Sequence, residues 1–229
     1  MRFATVALLL VGCTTARTAT PQPKTIRIDH VIVGVADLQS GMIEMERRTG
    51  VRPVVGGVHP GRGTRNALMS LGDDTYLEIL ALDPTQAVDN KEVSELRALK
   101  RPTPIGWAIS ADQEILLRSA LAAANITASE PMPGSRAKPD GSVLRWVTFG
   151  YSDLDNLLAP FFIIWADRDS HPSQTSPGGC RLESVDIESP VAAAISSAVT
   201  PLNLGVGVKH FSKDRMRLSL SCANGRVRF

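Results

Sequence analysis

The sequence predicts an α+β fold built from a repeated strand–helix–strand–strand–strand (βαβββ) unit, and three observations carry that expectation. A β-branched strand, an amphipathic helix closed by Gly or Asn, and further strands recur in the same order over 25–84, 102–170 and 180–229. A fixed order of elements repeating along a chain is a stronger fold signal than any one motif. Turn signals separate the strands, among them Gly72-Asp73-Asp74 and Pro139-Asp140-Gly141. The 229 residues are 43% hydrophobic and 21% charged, the balance of a globular chain with a true core.

The first unit opens on the β-branched run "TIRIDHVIVGV" (25–35), a strand. "DLQSGMIEMERRTG" (37–50) follows as a helix, with Asp37 as N-cap, a stripe of Leu38, Met42 and Met45, and Gly50 as the stop. "VRPVVGG" is a short strand broken by Pro53. After the loop "HPGRGT" (59–64), "RNALMSLG" alternates and "TYLEILAL" closes the unit. The second unit repeats the plan. "TPIGWAIS" (103–110) is its strand, and a helix with Leu117, Ala120, Leu121 and Ala124 on one face ends at Asn125. "ITASEPMPG" is its Pro-broken element, and "SVLRWVTFGY" and "APFFIIWAD" are its last strands. The third, shorter unit runs from "RLESVDIESP" through the helix "VAAAISSAVTPLN" to "LGVGVKHF", "RMRLSLSCANG" and "RVRF". An incomplete unit exposes a sheet edge, to be paired within the chain or across a homodimer.

Residues 1–12 have the layout of an export signal: Arg2, an apolar run from Phe3 to Val11, and Gly12 before Cys13. The run is shorter than the ~20 residues of a membrane-spanning helix. Leu10-Val11-Gly12-Cys13 resembles a bacterial lipobox, in which the signal is cut before a cysteine that takes the lipid. The expectation is export to the bacterial cell envelope and a lipid anchor to a membrane at Cys13, with 13–24 as a polar tether; the alternative is a chance apolar start. Net charge is +2 with no basic block, which argues against nucleic acid as a partner. Cys180 and Cys222 either pair, as an oxidising space allows, or stay free core thiols.

The segments "IDHVIVGVADL", "HPGRGTRNALMSLGDDTYLEIL", "GWAIS", "PGSRAKPDGSVLRW", "PFFIIW" and "HPS" resemble the glyoxalase-like domain group of the vicinal-oxygen-chelate (glyoxalase I and extradiol dioxygenase) superfamily. The resemblance covers roughly 26–175, read as one domain over 25–176, and the remainder fits only by repeat pattern. It implies an open, curved mixed sheet, a half-barrel, with helices on the outer face and the site in its concavity. It also implies one divalent metal ion (Zn, Fe, Mn or Ni undetermined) held by residues of the first and last strands of a unit, acting on a substrate with neighbouring oxygens.

In the first unit those positions are His30 and Glu78. Both are titratable groups among apolar neighbours, so each needs a metal, a partner or water, or they form a pair with each other. By the repeat, Trp107 lies near the position matching His30, and Ile163 or Ile164 matches Glu78; none of these ligates metal. His59 or His171 is then the candidate third donor, each in a loop. In "HPGRGT", Arg62, Thr64 and Asn66 form either a ligand-binding lip, together with His59 and His171, or a structural turn. The loop is not a P-loop, since no G-K-[ST] follows and a strand stands where a helix is required. Trp107, Trp146 and Trp165 either line a cavity or fill the core. Arg136 and Arg145 either pair with Asp140 or face an acidic ligand.

Two functions follow from the sequence. One is a divalent-metal lyase, isomerase or ring-cleaving enzyme with a small-molecule cavity. The other is a non-catalytic lipoprotein that binds or sequesters a small ligand at a degenerate metal site. No nucleophile elbow, HExxH or dinucleotide fingerprint is present.

Overall fold

A computed structural model describes residues 26–72, 74–138, 140–154, 156 and 158–229. The export signal, Cys13, the tether, Asp73 and Pro139 lie outside the described residues. The first unit consists of β1 (Ile26–Val35), α1 (Leu38–Thr49), β2 (Val54–His59), β3 (Thr64–Ser70) and β4 (Tyr76–Leu82), and α2 (Lys91–Ala98) follows it. The second consists of β5 (Thr103–Ala111), α3 (Glu114–Ala123), β6 (Met132–Ala137), β7 (Val143–Phe149) and β8 (Phe161–Trp165). A short α4 (Pro172–Thr175) leads to β9 (Cys180–Ser189), α5 (Ala192–Val199), β10 (Gly207–His210), β11 (Arg215–Cys222) and β12 (Gly225–Arg228).

The first eight strands form one curved sheet in the order β2-β3-β4-β1-β5-β8-β7-β6, in agreement with the expected α+β class. Within each unit the first strand runs parallel to the last, and the two units join where β1 and β5 pair antiparallel. Each side of that spine therefore repeats the other. The last four strands make a separate sheet, β10-β9-β11-β12.

Alternation along the strands sorts the side chains into two faces. The outer face carries Val31, Val33, Met69, Leu77, Ile79, Trp107, Ile109 and Phe162. It packs on α1, α3 and the small sheet, whose Val185, Ile187, Leu218 and Leu220 belong to the same core. Helix α1 sits there because Leu38, Met42 and Met45 form its buried stripe, Asp37 accepts from the Ser40 N–H at 2.8 Å, and Gly50 ends it at φ 75°. Fully burying Met45 contributes about 2 kcal/mol. The small sheet is tied by a disulfide between the directly paired Cys180 and Cys222.

The inner face carries the polar residues of interest. It curls until the edge strands β2 and β6 approach side to side. A Cβ on Gly57 would lie 2.7 Å from the Ala137 carbonyl oxygen, so glycine is required for the two edges to come this close. Helix α2, absent from the sequence reading, sets Leu96 beside Ile32 and Leu80 and so covers part of the inner face.

Candidate functional site

The register fixes who meets whom on the inner face. His30 pairs with Tyr76 and Ile32 with Glu78 across β1–β4, so all four share one side. Across β3–β4, Leu68 pairs with Glu78 and Asn66 with Leu80, which sets Asn66 diagonally beside Glu78. His59 and Thr64 pair across β2–β3. From the far edge, Arg136 of β6 reaches over Gly56 and Gly57 towards them.

A bulge in β1 does the rest. The β1–β5 register shifts between Ile28 and His30, so Asp29 does not alternate away from its neighbour. Asp29, 1% exposed, accepts three bonds: from His30 Nδ1 at 2.7 Å, Trp165 Nε1 at 2.9 Å and His171 Nε2 at 3.2 Å. Burial alone would push the Asp29 carboxyl up; the bonds and charges of His171 and His30 outweigh it and hold the group at about 2. An ionised carboxylate only accepts, so His30 Nδ1 carries a proton and Nε2 faces the other way. His30 also stacks on Tyr76, with ring centroids 4.6 Å apart.

His30 Nε2 faces Glu78 Oε2 at 3.8 Å, beyond hydrogen-bond reach. The other Glu78 oxygen lies 3.7 Å from His59 Nε2. The Asn66 amide stands between that pair, donating to Glu78 Oε1 at 2.6 Å with Nδ2 3.2 Å from His59 Nε2. His59 Nδ1 in turn meets Thr64 Oγ1 at 2.9 Å. Burial pushes the His59 imidazole down against the pull of Glu78, which keeps it neutral at pH 7. Burial pushes Glu78 up, but His59, His30, the Asn66 amide and Arg136 together hold it below the usual carboxylate range.

Several of the sequence expectations change at this point. His59 reaches Glu78, whereas His171 does not: its Nε2–H is given to Asp29 and its Nδ1 accepts from the Ser173 N–H. Trp107 pairs with Val31, not with His30, and so points to the outer core, fully buried with Nε1 donating to the Leu158 carbonyl. A one-residue slip moves a side chain to the opposite face. Across from His30 on the inner face stands Ala108, and Ile163 of β8 lies on that same face, so the second unit brings no donor to match Glu78 there. Trp146 and Trp165 do lie on the inner face, half-buried and 5.5 Å apart. Arg62 leaves the site and pairs with Glu92 on the surface. Asp140 accepts from Ser142 in its own turn, so Arg136 and Arg145 are not its partners.

A divalent ion finds matching donor chemistry here: two imidazole Nε2 atoms turned to one carboxylate, with their Nδ1 atoms held by Asp29 and Thr64, as outer partners hold metal-binding histidines. His30 Nε2 and Glu78 Oε2 face each other at 3.8 Å, and a cation set between them would take both as donors. Among the described residues no three such side chains close to an assembled metal centre, and the Asn66 amide has to yield for His59 to coordinate. Two surface clefts, about 220 Å³ beside Asp186 and Lys209 and about 600 Å³ beside Val51 and Pro177, share no residue with the cluster.

Comparison with known proteins agrees with the fold. No curated protein matches the chain. A hypothetical protein from Staphylococcus aureus superposes with a TM-score of 0.65 at 14% identity, covering 89% of this chain and 98% of its own. Methylmalonyl-CoA epimerase from Mycobacterium tuberculosis gives 0.41 at 16% identity, over 60% of this chain and 85% of its own. The Streptomyces coelicolor methylmalonyl-CoA epimerase in complex with 2-nitronate-propionyl-CoA gives 0.45 at 17% identity, over 63% and 99%. Likeness at this level concerns the fold alone. The sequence profile described as a glyoxalase-like domain matches residues 28–202, both βαβββ units and the start of the third, and on that match the chain belongs to the glyoxalase-like domain family.

Proposed function

We propose that the protein is an exported, lipid-anchored enzyme that binds one divalent ion through His30, His59 and Glu78 and acts on a small molecule with adjacent oxygens. The observation that carries this reading is the pair of Nε2 atoms facing the two oxygens of Glu78. When bound, such an ion acts as a Lewis acid and template for lyase, isomerase or ring-cleaving chemistry. The chain's own residues supply orientation and charge. Asp29 keeps His30 in one tautomer, Glu78 supplies a buried carboxylate, and Trp146 and Trp165 offer a half-buried aromatic wall. The disulfide supports export, since such bonds persist in oxidising compartments.

A second reading, a metal-free ligand-binding protein, is favoured by one observation: Arg136, itself a cation, already lies close enough to Glu78 to influence its ionisation. The full-length chain, assayed for metal content and for metal-dependent thermal shift, separates the two. A metal at one hundred times its Kd should stabilise the wild type by about 2.7 kcal/mol, with the shift abolished in Glu78→Ala and His30→Ala. No bound metal, and equal melting of all three proteins with and without added ion, would overturn the enzyme reading.

A further inference from the structure

Arg136 exposes 4% of its surface, and its Nη1 has no hydrogen-bond partner. Asn66 exposes 3%, and its Oδ1 is likewise without one. These two buried orphans, a donor and an acceptor, sit together: a Cβ built on Gly56 would be 2.8 Å from Arg136 Nη1 and 2.3 Å from Asn66 Oδ1. A buried guanidinium that gives up hydration without a bond in return is costly, and so is a buried amide carbonyl. Native interiors leave few such groups, and each one left calls for an explanation. Here both belong to the same cluster, because the Nδ2 of the same Asn66 holds Glu78.

We infer that Arg136 and Asn66 are the substrate-recognising end of this site, and that the ligand class is a small 2-hydroxycarboxylate. Arg136 Nη1 donates to a carboxylate oxygen, and Asn66 Oδ1 accepts from the hydroxyl on the neighbouring carbon. Carboxylate is the natural partner of a buried guanidinium, because a charge-assisted bond offsets desolvation on both sides. The hydroxyl matches Oδ1, which can only accept. A carboxylate and an adjacent hydroxyl also present the neighbouring oxygens that the proposed ion would take, so the inference rests on the reading above and deepens it. Ligand-binding sites of this kind are mostly apolar with a few convergent polar groups, and Trp146, Trp165 and Phe161 supply apolar surface on the same face.

The test uses the full-length chain with glycolate as probe, glycolamide as its neutral isostere and acetate as the acid lacking the hydroxyl. Binding is followed by tryptophan fluorescence and calorimetry, with zinc present and with zinc chelated. Glycolate should bind at least tenfold more tightly than either control, and Arg136→Gln should weaken it by about 10- to 100-fold and erase the preference for glycolate over glycolamide. Gly56→Ala supplies a second variant that alters neither polar group yet crowds both, and it should weaken glycolate in the same direction. If Arg136→Gln fails to fold, the ranking of the three probes on the wild type decides alone. Equal affinity for glycolate and glycolamide, or glycolate binding undiminished in both variants, overturns the inference. Zinc bound without glycolate preference sinks this inference and spares the metal reading; glycolate preference without zinc does the reverse.

Discussion

Asp29 is the residue on which the site's order depends, and strand alternation hides it. Glu78 was legible in sequence because it is a lone titratable group in an apolar strand, and His30 because the family resemblance places a ligand on the first strand of the unit. Asp29 was not, because its place beside His30 comes from a bulge, and nothing in "IRIDHVIV" announces one. Its role makes a pH-dependent prediction. The folded carboxyl sits at about 2 against an ordinary 3.8, so its stabilisation is complete above pH ~4 and is lost as pH falls towards 2. The shift corresponds to about 2 kcal/mol. Urea unfolding of Asp29→Asn should therefore fall short of wild type by roughly that amount at pH 7 and converge with it near pH 2. A gap of the same size at both pH values would count against the charge of Asp29 as its source.

At the scale of elements, the repeat gave away more than the faces did. The order of strands and helices in both units follows the sequence pattern, and α1 has the cap, stripe and stop expected of it. Trp107 shows where pattern fails: the repeat sets it near the position matching His30, but it pairs with Val31, and with a period of two one residue means the opposite face. Helix α2 was not anticipated because only Val93 and Leu96 are buried on it, too few to mark a stripe. The closing of the sheet, too, depends on contacts distant in sequence. Gly57 sits at φ 149° with the Ala137 carbonyl where its Cβ would be. Gly57→Val should cost roughly 3 kcal/mol or more, from strain and the displaced edge. Gly61→Ala, also at positive φ but with open space around it, should cost only about 1 kcal/mol. Thermal melting of the two variants side by side checks the contrast, and equal losses would mean that the edge approach contributes nothing.

For the molecule as a whole, the sequence left the last fifty residues as a repeat pattern with two cysteines of open fate. The structure gives them a sheet of their own, docked on the outer core and tied by Cys180–Cys222. A bridge spanning 42 positions contributes about 4 kcal/mol by restricting the unfolded chain. Reductant, or Cys222→Ser, should thus lower the melting temperature by roughly 10 °C; identical melts in oxidising and reducing buffer would show that the thiols are free. The large sheet is held differently. Its two halves are laced by a backbone ladder at β1–β5, but among the described residues no backbone hydrogen bond links β2 to β6, where glycine and arginine side-chain contacts close the ring. The ring is therefore closed by two different kinds of seam, a strand ladder on one side and side-chain packing on the other. Arg136 stands in the second of these, so the side chain proposed to meet the ligand also belongs to the contacts that hold the two edges together.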